Sequence, residues 1–114
     1  MDIDTIKQKL ADFAAQRDWE QFHSPKNLAM ALSVEAAELL ELFQWLSEAQ
    51  SVQLNDDDLR QAGEELADIQ LYLIRLADRL GIDLETAVHD KLRVNEEKYP
   101  VELSRGNATK YNRR

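Results

Sequence analysis

The chain has 114 residues, a formal net charge of −8 and 44% apolar residues. This length suits a single domain, and the acidic charge argues against binding a nucleic acid polymer, which requires a basic surface. Cysteine is absent, which leaves no disulfide or thiolate metal site. No apolar run approaches the ~18 residues that span a membrane, and the acidic N-terminus does not resemble a signal peptide. We therefore expect a cytoplasmic protein that does not associate with membranes.

Four long helices are predicted from apolar residues that recur at helical spacing. Ser24 is a suitable N-cap with Pro25 in the first turn behind it, and Gly81 is a suitable helix stop. Short loops between long helices favour an all-α, four-helix antiparallel bundle over residues 1–100, followed by a basic C-terminal tail over 101–114. The expected helices cover 4–17, 24–46, 56–81 and 83–98.

Two acidic pairs, Glu35-x-x-Glu38 and Glu65-x-x-Asp68, are the most informative motifs. The i, i+3 spacing places both carboxylates of a pair on one helix face, about one turn apart. Glu35 also occupies an apolar position of its helix, where an unpaired carboxylate is costly. The pairs are therefore candidate metal ligands, although ordinary solvated acids on amphipathic helices would give a similar pattern.

The ligand types favour Mg²⁺, with Mn²⁺ as an alternative. Hard divalent cations take oxygen ligands and often share them with substrate phosphates. Di-iron bundles use Glu-x-x-His pairs, and neither His23 nor His89 completes one. The residues thus indicate a metal site that acts on a phosphate ester.

Aromatic residues lie close to the acidic motifs in sequence. Trp19, Phe22 and His23 crowd the loop before the second helix, Trp45 lies two turns beyond Glu38, and Tyr72 lies one turn beyond Asp68. These side chains could pack in a core, or the two tryptophans could form a stacking slot for a flat base.

Two polar residues of the last helix are further candidates for substrate binding. Lys91 and Asn95 are spaced i, i+4 and could meet a phosphate and a sugar together, although an exposed surface position is the alternative.

Four strings cover nearly the whole chain: FAAQRDWEQFHSPKNL at 13–28, EAAELLELFQW at 35–45, EELADIQLYL at 64–73 and NEEKYPVELSRGNATKY at 95–111. Together and in this order they resemble the MazG-like, all-α nucleoside triphosphate pyrophosphohydrolases, in particular the dCTP pyrophosphatase branch. One departure is Leu10, where animal members of that branch carry a His.

The resemblance implies a helical bundle assembled as a dimer or a dimer of dimers. It implies Mg²⁺-dependent hydrolysis of a nucleoside triphosphate to the monophosphate and pyrophosphate. In such a reaction, a carboxylate such as Glu38 could accept the proton of the attacking water. The implied metal ligands are Glu35, Glu38, Glu65 and Asp68. The implied pocket for base and sugar comprises Trp19, Glu20, Gln21, Phe22, His23, Trp45 and Tyr72.

Two other interpretations remain open on the sequence. The first is an enzyme of the same fold that acts on another or a modified nucleotide, such as dUTP or a damaged deoxynucleotide. The second is a non-catalytic helical module that binds a partner through its apolar faces, with the acids as a solvated stripe.

Overall fold

The computed structural model describes residues 1–113, and these are helical with no β-strand. The all-α class predicted from the sequence is confirmed. Six α-helices occur in this range: α1 Ile3–Gln16, α2 Pro25–Glu41, α3 Glu48–Ser51, α4 Asp56–Leu80, α5 Leu84–Lys98 and α6 Val101–Ser104. Two single turns of 3-10 helix lie at Glu20–Phe22 and Tyr111–Arg113.

The predicted start and stop signals act as expected. The Ser24 hydroxyl accepts a hydrogen bond from the Asn27 N–H at 3.1 Å, which caps α2. Asn55 caps α4 in the same way through the N–H of Asp58, at 2.8 Å. Gly81 ends α4 with φ 68°, the left-handed conformation that glycine adopts at little cost.

The predicted end of the second helix at Leu46 is wrong, because α2 ends at Glu41. The N–H groups of Leu42 and Phe43 donate to the carbonyl oxygens three residues earlier. This is the spacing of a 3-10 turn, and it ends the α-helix. Ser47 then caps α3 through a reciprocal capping box with Gln50. Apolar spacing continues through this turn without a Gly or Pro, so periodicity alone could not mark the stop.

The chain divides into two compact units, Met1–Ile82 and the residues from Asp83 onward. In the first unit, α4 packs against both α2 and α1, most extensively against α2. Among residues 1–113, the buried apolar side chains are few and mostly small: Ala14, Leu28, Ala62, Ile74 and Ala77.

The apolar residues that recur at helical spacing along α4 are only partly buried within the chain. Ala62 is buried, but every seventh residue of the stripe is a leucine that remains between 37% and 57% exposed. These leucines, named here the leucine face, are Leu59, Leu66, Leu73 and Leu80. Over residues 1–113, no helix is both long and apolar enough to cross a membrane.

Candidate active site

Three of the four predicted metal ligands form one acidic cluster. Glu35 and Glu38 come from α2 and Glu65 comes from α4, and each offers a carboxylate oxygen within 4.8 Å of the others. The i, i+3 spacing brings the two α2 residues to one face, and the packing of α4 against α2 adds the third. We call Glu35, Glu38 and Glu65 the carboxylate cluster.

The carboxylate cluster contains buried oxygens without a donor. Oε2 of Glu35 and Oε2 of Glu65 are buried, and neither finds a hydrogen-bond partner among the described residues. A proton that Glu65 would share with Glu35, together with burial and the nearby Glu38, raises the pKa of Glu65 to about 7. An orphaned buried carboxylate is costly, so the site requires either a proton or a cation, and it fits a divalent metal.

The raised pKa of Glu65 predicts how stability depends on pH without metal. The folded chain holds this proton more tightly than the unfolded chain, whose carboxyl has its ordinary value of 4.5. Its contribution is therefore complete below about pH 4.5 and is lost as the pH rises through about 7. In EDTA, we expect the Tm to fall from about pH 5 to pH 8 more steeply in the wild type than in Glu65→Gln. Calorimetry checks this, and equal slopes in the two proteins would contradict it.

A cavity of about 470 Å³ lies beside the carboxylate cluster in the first unit. Glu35 belongs to both, so the cluster and the cavity are continuous. One set of lining residues is apolar or aromatic: Leu10, Phe13, Trp19, Leu28, Leu71 and Tyr72. The other is polar: His23, Glu35, Asp68 and Arg75. We call this space the aromatic cavity.

A second cavity, of about 510 Å³, is acidic. It contains the other two members of the carboxylate cluster, Glu38 and Glu65. Glu41 and Glu64 also line it, and Glu64 is paired at 3.1 Å with Arg60. A polyphosphate could enter this acidic cavity only with cations that offset the repulsion.

Trp19 and His23 are the residues of the Trp19–His23 segment that line the aromatic cavity. The Trp19 ring meets Phe13 edge-on at 5.6 Å between centroids and His23 at 6.4 Å. Within residues 1–113, Glu20, Gln21 and Phe22 are not part of the lining. The Gln21 amide instead donates to the backbone oxygen and a carboxylate oxygen of Asp18, both at 3.0 Å.

Sequence reasoning did not identify the partner of His23. Arg75, only 5% exposed, donates from Nε to His23 Nδ1 at 3.1 Å, across 52 residues of sequence. Arg79 Nε–H donates to the His23 carbonyl oxygen at 3.1 Å. Burial and these two cations lower the pKa of His23. The available signal was the spacing of Arg75, which is three residues beyond Tyr72 and seven beyond Asp68 and so lies on the same face of α4.

Four other predicted site residues are not members of the carboxylate cluster. Asp68 lines the aromatic cavity and is not a member of the carboxylate cluster. Trp45 is 86% exposed and lines neither of the two cavities described above. Lys91 and Asn95 are exposed on α5, in the second compact unit.

Comparison with known proteins adds a consistent set of relatives. A model of the MazG-like family matches residues 30–113. The chain is 48% identical to "dCTP pyrophosphatase 1" of Rattus norvegicus and 42% identical to that of Homo sapiens, each over 96% of this chain. It spans 65% of the length of these two relatives.

The fold is also similar to a crystal structure of a pyrophosphatase from Archaeoglobus fulgidus. The TM-score is 0.82 at 38% sequence identity, and the match covers 88% of this chain and 94% of that one.

Proposed function

Because this chain belongs to the MazG-like family, we propose that it is a Mg²⁺-dependent nucleoside triphosphate pyrophosphohydrolase that prefers dCTP. The names of the relatives support the reaction and the substrate. The proposal depends mainly on Glu35, which belongs to the carboxylate cluster and also lines the aromatic cavity. A nucleotide can thus place its base among aromatic rings and its phosphates at the carboxylates.

The protein's own residues divide the work between the two cavities. Trp19 and Tyr72 offer ring surfaces to the base and sugar. The carboxylate cluster would hold the cations that position the α-phosphate beside the acidic cavity, where the departing pyrophosphate would lie. Glu38 is the exposed member of the cluster, which makes it the candidate to accept a proton from the attacking water.

Mg²⁺, or Mn²⁺ in its place, would supply charge neutralisation on the phosphates and a water of lowered pKa. Glu35, Glu38 and Glu65 would hold it, and Asp68 is proposed as a fourth ligand from the sequence motif. These are oxygen donors only, which suits hard divalent cations.

The bond that is cut tests the proposed function. With dCTP and Mg²⁺, we expect dCMP and intact pyrophosphate in equal amounts, because attack occurs at the α-phosphorus. Anion-exchange chromatography separates these products from dCDP and orthophosphate. dCDP should be a poor substrate, since it cannot release pyrophosphate. Release of orthophosphate and dCDP, or no turnover of any nucleotide, would refute the proposal.

We also propose that the chain forms a homo-oligomer, a dimer or a tetramer, through the leucine face. Leu59, Leu66, Leu73 and Leu80 recur every seven residues along α4, which aligns them on one side of the helix. Half-exposed leucines in such a row are costly in water and are buried when two copies associate.

Introducing charge into the leucine face should disrupt this association. We expect Leu66→Glu combined with Leu73→Glu to give a monomer by light scattering where the wild type is larger, because paired carboxylates cannot be buried together. A matched control is Val52→Glu, at a residue 81% exposed outside the leucine face. A wild-type monomer, or a double variant that keeps its oligomeric mass, would contradict the proposal.

A further inference from the structure

The bond between Arg75 and His23 determines which imidazole nitrogen carries the proton. A guanidinium has only donors, so a nitrogen that receives its N–H must offer a lone pair. Arg75 Nε–H donates to His23 Nδ1 at 3.1 Å, so Nδ1 is unprotonated and the ring proton lies on Nε2. His23 can therefore offer a donor at Nε2 but no acceptor at that atom.

Several contacts keep this arrangement in place. Arg75 is 5% exposed and has a second partner in Asp78, at 3.5 Å from its Nη1. Arg79 holds the His23 backbone through its carbonyl oxygen at 3.1 Å, so the ring and the main chain are both anchored to α4. The pKa of His23 is lowered by burial and by the two arginines, which favours the neutral form of the ring.

His23 lines the aromatic cavity, with its ring inclined at 67° to that of Trp19. A base that stacks on an aromatic ring lies parallel to that ring. Its edge therefore faces the side chains beside the ring, whose own planes can be steeply inclined to it. The polar residues of this cavity are His23, Arg75, Glu35 and Asp68, and Glu35 also belongs to the carboxylate cluster. His23 is thus a neutral polar side chain available to a base edge, as are the Tyr72 hydroxyl and the Trp19 indole N–H, and it is the one whose ring Arg75 holds.

We propose that Arg75 is a positioning residue that fixes His23 as a donor toward the base edge, and that this donor recognises the N3 acceptor of cytosine. Uracil and thymine carry N–H at N3, so two donors would face one another and the base would be rejected. This inference rests on the proposed function and deepens it, since it names how the preference for cytosine would be achieved.

The first test measures the protonation of the two His23 ring nitrogens directly and does not depend on catalysis. The chain has two histidines, so an imidazole ¹⁵N spectrum of the labelled full chain contains two rings, and His89→Gln assigns them. We expect His23 to show unprotonated Nδ1 and protonated Nε2 at pH 7. In Arg75→Met, His23 should titrate and exchange between tautomers. Protonated Nδ1 in the wild type would overturn the inference.

The second test reads base selection. We expect Arg75→Met to lower the ratio of kcat/KM for dCTP over dUTP by roughly tenfold, mainly through KM, because a freed ring can present an acceptor to uracil N3–H. In His23→Asn, the amide oxygen can still accept from Arg75, but the shorter side chain has no donor at the position of Nε2. This variant should therefore lower the ratio by as much as Arg75→Met does. Adding Arg75→Met to it should have no further effect. Arg93→Met, at an exposed arginine of α5 that pairs with Asp90, is the matched control and should keep the ratio within about twofold.

A substrate analogue isolates N3 from the cytosine amino group. The triphosphate of pyrimidin-2-one deoxyriboside keeps the N3 acceptor and lacks the amino group, so it should be preferred over dUTP in the wild type and lose that preference in Arg75→Met. An unchanged ratio in Arg75→Met, in a folded and active protein, overturns this inference and leaves the pyrophosphohydrolase proposal standing. A chain that turns over no nucleotide overturns the proposed function and the base-reading role, while the imidazole spectrum still reports the Arg75–His23 bond.

Discussion

Glu38→Gln is expected to lower the turnover of dCTP at saturating Mg²⁺ by more than the roughly 10–100-fold that the loss of an outer-shell partner of a metal costs. Glu38 offers one of the three oxygens of the carboxylate cluster and is its exposed member, so it is a candidate for both metal binding and proton transfer. The glutamine keeps the size of the side chain and removes the charge. Steady-state kinetics across a Mg²⁺ titration measures the loss.

The same change should not weaken the metal-free fold. Removing one of three neighbouring negative charges relieves repulsion, so the Tm in EDTA should stay level or rise. Glu48→Gln, an exposed acid at the start of α3, is the control and should leave both turnover and Tm unchanged. A Glu38→Gln enzyme with near-native turnover at saturating Mg²⁺ would remove Glu38 from the site.

The acidic cluster could be predicted from sequence because two local rules suffice. Spacing of i, i+3 fixes which carboxylates share a helix face, and a charged residue in an apolar position such as Glu35 indicates where that face is buried. Antiparallel packing of two helices then brings Glu65 opposite. The start of α2 at Ser24-Pro25 and the stop of α4 at Gly81 were predictable for the same reason, since each depends on residues within one turn.

Features that depend on distant residues could not be predicted. The Arg75–His23 bond joins residues 52 positions apart, and neither residue type identifies the other as its partner. The expected position of Trp45, two turns beyond Glu38, assumed that both residues lie on one helix. Because α2 ends at Glu41, Trp45 lies outside that helix. The leucine face resembles a core stripe in sequence, because periodicity alone does not report how far each leucine is buried within the chain.

Trp19→Ala is expected to raise KM for every nucleotide by roughly ten- to a hundredfold, with a smaller change in kcat. Stacking on an aromatic ring contributes about 1–3 kcal/mol per base and is tolerant of base identity. Trp19 lines the aromatic cavity and is held edge-on by Phe13 at 5.6 Å, so its ring is positioned before a ligand arrives. The ratio between dCTP and dUTP should therefore stay nearly constant, in contrast to Arg75→Met.

Trp19→Phe separates loss of the ring face from loss of the fold. A phenyl ring retains a stacking surface, so this variant should recover most of the affinity that Trp19→Ala loses. Trp45→Ala tests the other tryptophan that the sequence suggests for stacking, which is 86% exposed in the chain. If Trp45→Ala raised KM for all nucleotides while Trp19→Ala left it unchanged, the base would bind outside the aromatic cavity. A rise in both would require a second copy of the chain, or movement of the turn after α2, to bring Trp45 to the bound base.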